Sequence, residues 1–134
     1  MKHWIFAITL VLLFSSCSEI KTSEPTEVYS YWSGSKPPEN LKVIQGEYWE
    51  SVHWSKEYIM SLKFEAPENW WNEFTTQNEL EIDTVEWSKP NDFPNWFTPS
   101  KNSIQYKSNN RFDQGSRYFR DRSNGECYIY EVQL

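Results

Sequence analysis

The chain has 134 residues, of which 24% are charged, with a formal net charge of −6 and a mean hydropathy of −0.78. That length accommodates one domain, and 8 Trp, 8 Tyr and 8 Phe supply the apolar bulk that disordered chains of similar hydropathy lack. An acidic chain offers phosphate no general electrostatic footprint, which argues against nucleic acid as a partner.

The N-terminus reads as an address. Lys2 and His3 precede an apolar run over 4–14, broken only by Thr9, and Ser15, Ser16 and Cys17 follow. A positive start, an apolar middle and small residues at the end form the order of a secretory signal peptide. The run of 11 residues is shorter than the roughly 17 to 25 that a helix needs to span a bilayer. Phe14-Ser15-Ser16-Cys17 resembles the lipobox of bacterial lipoproteins. The resemblance implies cleavage before Cys17, lipidation of the Cys17 sulfur and residence in the cell envelope, with Ser18 favouring the outer membrane over the inner. Several acyl chains on Cys17 would hold the protein on its membrane. With Cys17 assigned to lipid, Cys127 has no partner for an intramolecular disulfide.

Residues 18–28 mix Ser, Thr, Glu and Pro with almost no apolar periodicity, the composition of a flexible tether. The expected organisation is therefore a signal peptide over 1–16, a lipidated Cys and tether over 17–28, and one globular domain over 29–134. Tyr29, Tyr31 and Trp32 alternate as a short strand would, and the polar stretch 33–40 reads as a loop. Over 41–49, Leu41, Val43 and Gln45 alternate against Lys42 and Ile44, with Gly46 expected to bulge the strand. The clearest period of two lies over 58–65, where Tyr58, Met60, Leu62 and Phe64 share one face. Pro67 and Glu68 open a helix over 67–78 whose Trp70, Trp71 and Phe74 fall within one arc and read as core.

A weaker strand is expected over 82–87, and stronger ones over 103–107, 117–122 and 127–134. Asn124-Gly125 is the signal of a tight primed hairpin turn joining the last two. These elements predict an α+β fold, an antiparallel sheet of about four to six strands with one main helix packed on it.

Chemistry is sparse in the sequence. Outside the signal segment His53 is the sole histidine, so metal clusters and His-paired nucleophiles have one candidate at most. A dyad of His53 with Cys127 competes with Cys127 as a small packing residue. The Gly residues at 34, 46, 115 and 125 build no phosphate-cradling loop. Glu79, Glu81 and Asp83 alternate like one strand face, a pattern that suits a divalent cation, a glycosidase pair or plain solvation. No catalytic residue, metal or cofactor is expected.

Two groups suit binding. Trp96 and Phe97 lie between Pro94 and Pro99 in a loop whose stiffness lowers the entropy lost on docking. They compete with a reading in which Trp87, Phe93, Trp96 and Phe97 plug the open end of a small sheet. Arg117 and Arg120 sit on a hairpin strand within a cluster that includes Arg111 and Arg122. Charge is uneven, with 6 basic and 15 acidic residues over 18–100 but 6 basic and 4 acidic over 101–134. Acids of the first part pairing with these arginines is the bland alternative. The expected function is a membrane-tethered binding module with a protein partner, one version being an immunity-type protein that neutralises a basic toxin. A glycan-binding module is the alternative, and a carboxylate hydrolase stands third.

Overall fold

The computed structural model describes residues 18–52 and 55–134. Among the described residues, seven strands form one antiparallel sheet: β1 (Ile20–Thr22), β2 (Lys42–Glu50), β3 (Tyr58–Glu65), β4 (Leu80–Ile82), β5 (Ser103–Ser108), β6 (Arg117–Asp121) and β7 (Glu126–Gln133), in the spatial order β1-β2-β3-β7-β6-β5-β4. Two short helices among the same residues, α1 (Pro25–Ser33) and α2 (Glu68–Gln77), lie on one face. The protein is thus mainly β, which corrects the α+β expectation: the sheet is larger than four to six strands, and no single helix dominates.

The correction originates at the start of the domain. Residues expected to be tether are ordered from Ile20, which pairs with Glu50 as β1 extends the sheet beside β2. The strand expected at Tyr29–Trp32 is part of α1. Its N-cap is Glu24, whose carboxylate accepts from the backbone N–H groups of Thr26 (3.2 Å) and Glu27 (2.7 Å). Pro25 follows in the first turn, where its missing N–H costs nothing. Gly34 ends the helix at φ 77 and donates its N–H to the Ser30 carbonyl at 2.9 Å.

Strand β3 forms where its period of two places it, between β2 and β7. Met60, Leu62 and Phe64 point under the helices and are fully buried. In β2 the register slips between Val43 and Gln45, so the bulge falls at Ile44 rather than at Gly46. Gly46 has another role: a Cβ there would lie 2.9 Å from Val28 Cβ and Cγ1. The bare backbone lets α1 rest directly on β2. Helix α2 follows the sequence signals, with Trp71 and Phe74 buried. The weak strand expected over 82–87 forms earlier, as β4.

Strands β6 and β7 form the expected hairpin, with Arg120 opposite Cys127. Its turn is longer than the tight primed type: Gly125 alone takes a positive φ (72), its N–H bonds the Asp121 carbonyl at 2.9 Å, and Asn124 Oδ1 accepts from Glu126 N at 2.9 Å. Residues 83–102 cross the opposite face of the sheet and give the fold its second core. Trp87, Phe93, Trp96 and Phe97 pack there on Phe119, Tyr128 and Tyr130.

Candidate functional site

The second core covers only part of its face. Alternation carries Phe119 of β6 and Tyr128 and Tyr130 of β7 to the side away from the helices, and the loop aromatics roof them. Phe97 is 0% exposed, with its ring centroid 5.2 Å from Tyr128 and 4.6 Å from Phe93. The loop is held by Lys89 Nζ donating to the Phe97 carbonyl (3.1 Å) and by Gln105 Nε2 donating to Asp83 Oδ2 (2.7 Å) and the Val85 carbonyl (2.9 Å).

Beyond Phe93 the roof stops, and the same face of β1, β2 and β3 is open. A groove of about 470 Å³ runs there, floored by Trp49, Ile59 and Tyr130, walled by Phe93 and Pro94, and rimmed by Lys21, Glu47 and Asp92. Register explains the lining: Trp49 pairs with Lys21 on one side and Ile59 on the other, so all three project to this face. The Trp49 indole is oriented by its N–H donating to Glu19 Oε2 at 2.8 Å. An apolar floor with a polar rim is the anatomy of a ligand or partner groove.

The binding residues read from the loop and hairpin divide. Phe97 is core and presents no surface to a partner. Trp96 is half-buried against Phe97 and keeps part of its ring in solvent. Arg117 is engaged within the fold: Nε lies 2.9 Å from Asp83 Oδ2, and Nη1 lies 2.6 Å from Asp113 Oδ2. Arg120 is 6% exposed and donates from Nη2 to the Ala66 carbonyl at 3.2 Å. It faces the helix side beside Cys127, so neither arginine is offered to a partner. The groove aromatics Trp49 and Tyr130 carry no site signal in the sequence beyond their alternation within β2 and β7.

The acidic alternation at 79–83 resolves into separate tasks. Glu81 sits 3.8 Å from Lys107, whereas Asp83 is buried with Arg117. Burial raises the Asp83 pKa, yet hydrogen bonds from Gln105 and the Val85 N–H and the nearby Arg117 and Lys107 charges outweigh it and hold the carboxyl below its ordinary value. Among the described residues no group of three His, Cys, Asp or Glu is placed to hold a metal ion. His53 and Cys17 lie outside the described residues. Cys127 is 0% exposed, and burial pushes its thiol up to about 12 despite Arg120 beside it. A thiol so protonated is a packing group and not a nucleophile.

A second cleft opens on the helix face. Glu131, on β7, accepts from Trp32 Nε1 (3.2 Å), from the Tyr118 hydroxyl (2.9 Å) and from the Tyr58 hydroxyl. Burial, and then the Glu131 charge, raise the pKa of both tyrosines, which keeps them as protonated donors. No described helix is long and apolar enough to cross a membrane. Neither protein-family models, nor curated proteins, nor solved structures match this chain.

Proposed function

We propose that this chain is a lipid-anchored envelope protein, held to the membrane through Cys17, whose domain binds a basic protein partner in the groove on β1, β2 and β3. The open groove is the observation that carries the reading. Its walls come almost entirely from residues 18–100, the part of the chain with 15 acidic and 6 basic residues. Lys21, Glu47 and Asp92 leave the rim net negative, and Trp49, Ile59, Phe93 and Tyr130 below it suit an apolar anchor side chain. A partner segment with an apolar residue flanked by Lys or Arg has both complements. Charge of this kind raises the association rate and selects against acidic partners. An immunity-type role against a basic toxin is one instance of this chemistry.

Ile59 is the residue to alter, because it is 36% exposed and its side chain forms part of the groove floor. A photo-crosslinker at Ile59 in membrane-anchored protein should capture a basic polypeptide, whereas the same group at Val85, which is 68% exposed outside the groove, should not. Ile59→Asp should abolish capture while leaving thermal unfolding within a few degrees of wild type. Equal capture from both positions, or a captured glycan in place of a protein, refutes the proposal. Replacing Cys17 with Ala and fractionating cells tests the anchor separately: a variant that is processed and sediments with membranes like wild type removes the lipid assignment.

A further inference from the structure

The sheet starts almost at the anchor position. Glu19 is held by the Trp49 indole N–H at 2.8 Å, and Ile20 already pairs with Glu50 as the first residue of β1. Two residue steps join Glu19 to Cys17, a reach of at most about 7 Å. With acyl chains on Cys17, as proposed above, the end of the sheet from which β1 starts is drawn against the bilayer.

Antiparallel pairing decides what else lies at that end. Ile20 faces Glu50, Tyr58 faces Gln133, Arg117 faces Tyr130, and Leu80 faces Ser108. The hairpin over 51–57, Leu134 just beyond β7 and the loop over 109–116 therefore share the end at which the chain leaves for Cys17. In the strand order they follow β1 in a row, with the hairpin and the loop roughly 15 Å apart at ordinary strand spacing. Each presents an apolar side chain to solvent: Val52, Leu134 and Phe112, the last 70% exposed. Single exposed apolar residues are ordinary, but three in one row beside an anchor form a surface. The loop that displays Phe112 is pinned in place. Gln114 bonds the Leu134 backbone in both directions, donating from Nε2 to the carbonyl at 3.1 Å and accepting its N–H at 2.7 Å, and Asn110 Oδ1 accepts the Phe112 N–H at 3.0 Å.

Charge distinguishes this end from the rest of the molecule. Residues 50–57 and 109–117 hold Lys56, Arg111 and Arg117 against Glu50, Glu57 and Asp113, a balance within a chain of net charge −6. Asp113 is taken by Arg117 at 2.6 Å. Arg111 is exposed and lies over the Phe112 ring, 4.9 Å from its centroid. A basic protein finds no complementary field here. A lipid surface finds an aromatic ring for the headgroup boundary and, beside it, a guanidinium for the phosphates.

We propose that this end of the sheet docks on the membrane that holds Cys17, with Val52, Phe112 and Leu134 seated among the headgroups and Arg111 on their phosphates. The proposal rests on the lipid anchor. Trp49 and Ile59 are each the second strand residue in from this end, so the groove opens sideways just above the headgroups.

The test uses the full lipidated chain in vesicles of phosphatidylethanolamine and phosphatidylglycerol. A nitroxide is placed on Val52→Cys, Phe112→Cys or, at the far end of the sheet, Arg122→Cys. Cys127 is buried and Cys17 is acylated in this reading, so the introduced thiol takes the label. Labels at 52 and 112 should collide severalfold less with a water-soluble nickel chelate, and more with oxygen, than the label at 122. Phe112→Asp should restore nickel access at position 52 severalfold while thermal unfolding and flotation with the vesicles stay as in wild type. Labels at 52 and 112 as wet as the one at 122, on protein that floats, overturn the docking and leave the anchor standing. So does nickel exclusion without a gain in oxygen contact, the mark of a protein cover such as a second copy, or an unchanged label at 52 in Phe112→Asp. A Cys17→Ala variant that floats like wild type overturns the anchor, and the docking with it.

Discussion

Adding one methyl group at Gly46 tests the seating of α1 on β2. A Cβ at Gly46 would lie 2.9 Å from Val28 Cβ and Cγ1 and 3.0 Å from Cγ2, against the 3.5 to 4.0 Å (approximately) at which carbon atoms rest in contact. Val28 is 0% exposed and belongs to a helix turn, so relief requires α1 to lift by about half an ångström or more. Overpacking of this kind costs about 1 to 3 kcal/mol. Gly is itself slightly unfavourable in a strand, which returns about 0.5 to 1 kcal/mol to the alanine variant. Gly46→Ala should therefore destabilise by about 1 to 2 kcal/mol, equivalent to roughly 3 to 10 °C in melting temperature for a domain of this size. The decisive measurement is a double-mutant cycle with Val28→Ala, which removes the two Cγ atoms. Val28→Ala alone leaves a cavity and destabilises by about 2 kcal/mol, but in its presence Gly46→Ala should cost less, because of the three close atoms only the position-28 Cβ, at 2.9 Å, remains. A coupling of about 0.5 to 1 kcal/mol is expected. Additivity within a few tenths of a kcal/mol would refute the contact and with it the placement of α1.

The two loop aromatics should separate cleanly by chemical denaturation: Phe97→Ala empties the centre of the second core and should cost about 3 to 5 kcal/mol, whereas the half-exposed Trp96→Ala should cost markedly less. Cys127 should resist thiol reagents at neutral pH until the protein unfolds. Its folded pKa of about 12 lies above the ordinary 9.0, so its contribution is complete below pH 9 and fades as pH rises from there towards 12; Cys127→Ala should flatten the stability profile over that window, and an unchanged slope would contradict the assignment. Asp83 runs the other way: its pKa is lowered from 3.8, so the stability it provides is present above that pH and is lost on acidification below it. Asp83→Asn should remove this acid limb and weaken the Arg117 tie, measurable as a shallower pH dependence of unfolding in urea.

Periodicity and end signals were enough for the interior of the sheet. β3 carries an unbroken alternation over Tyr58–Glu65, and a strand buried on one face by helices and paired along both edges by β2 and β7 has little freedom to depart from it. β7 and α2 were equally legible, because Tyr128, Ile129 and Tyr130 alternate between two cores and Trp71 and Phe74 share one arc. The start of the domain was not. Tyr29, Tyr31 and Trp32 satisfy a strand pattern locally, and the helix that they actually form is marked only by Glu24 before Pro25 and by Gly34 after Ser33. Three residues of β1 have no pattern of their own; they are a strand because Glu50 and Trp49 present an edge to them. The loop over residues 83–102 showed its aromatics in the sequence but not which would be covered. That depended on long-range register, which brings Phe119, Tyr128 and Tyr130 beneath Phe97 and leaves Trp49 and Ile59 uncovered. The acidic and basic portions, the scarcity of His and Gly and the Ser-Ser-Cys ending belong to the sequence alone. The groove and the cleft at Glu131 do not, because each is made by residues of three or more separate segments whose meeting is decided by strand pairing and not by local propensity.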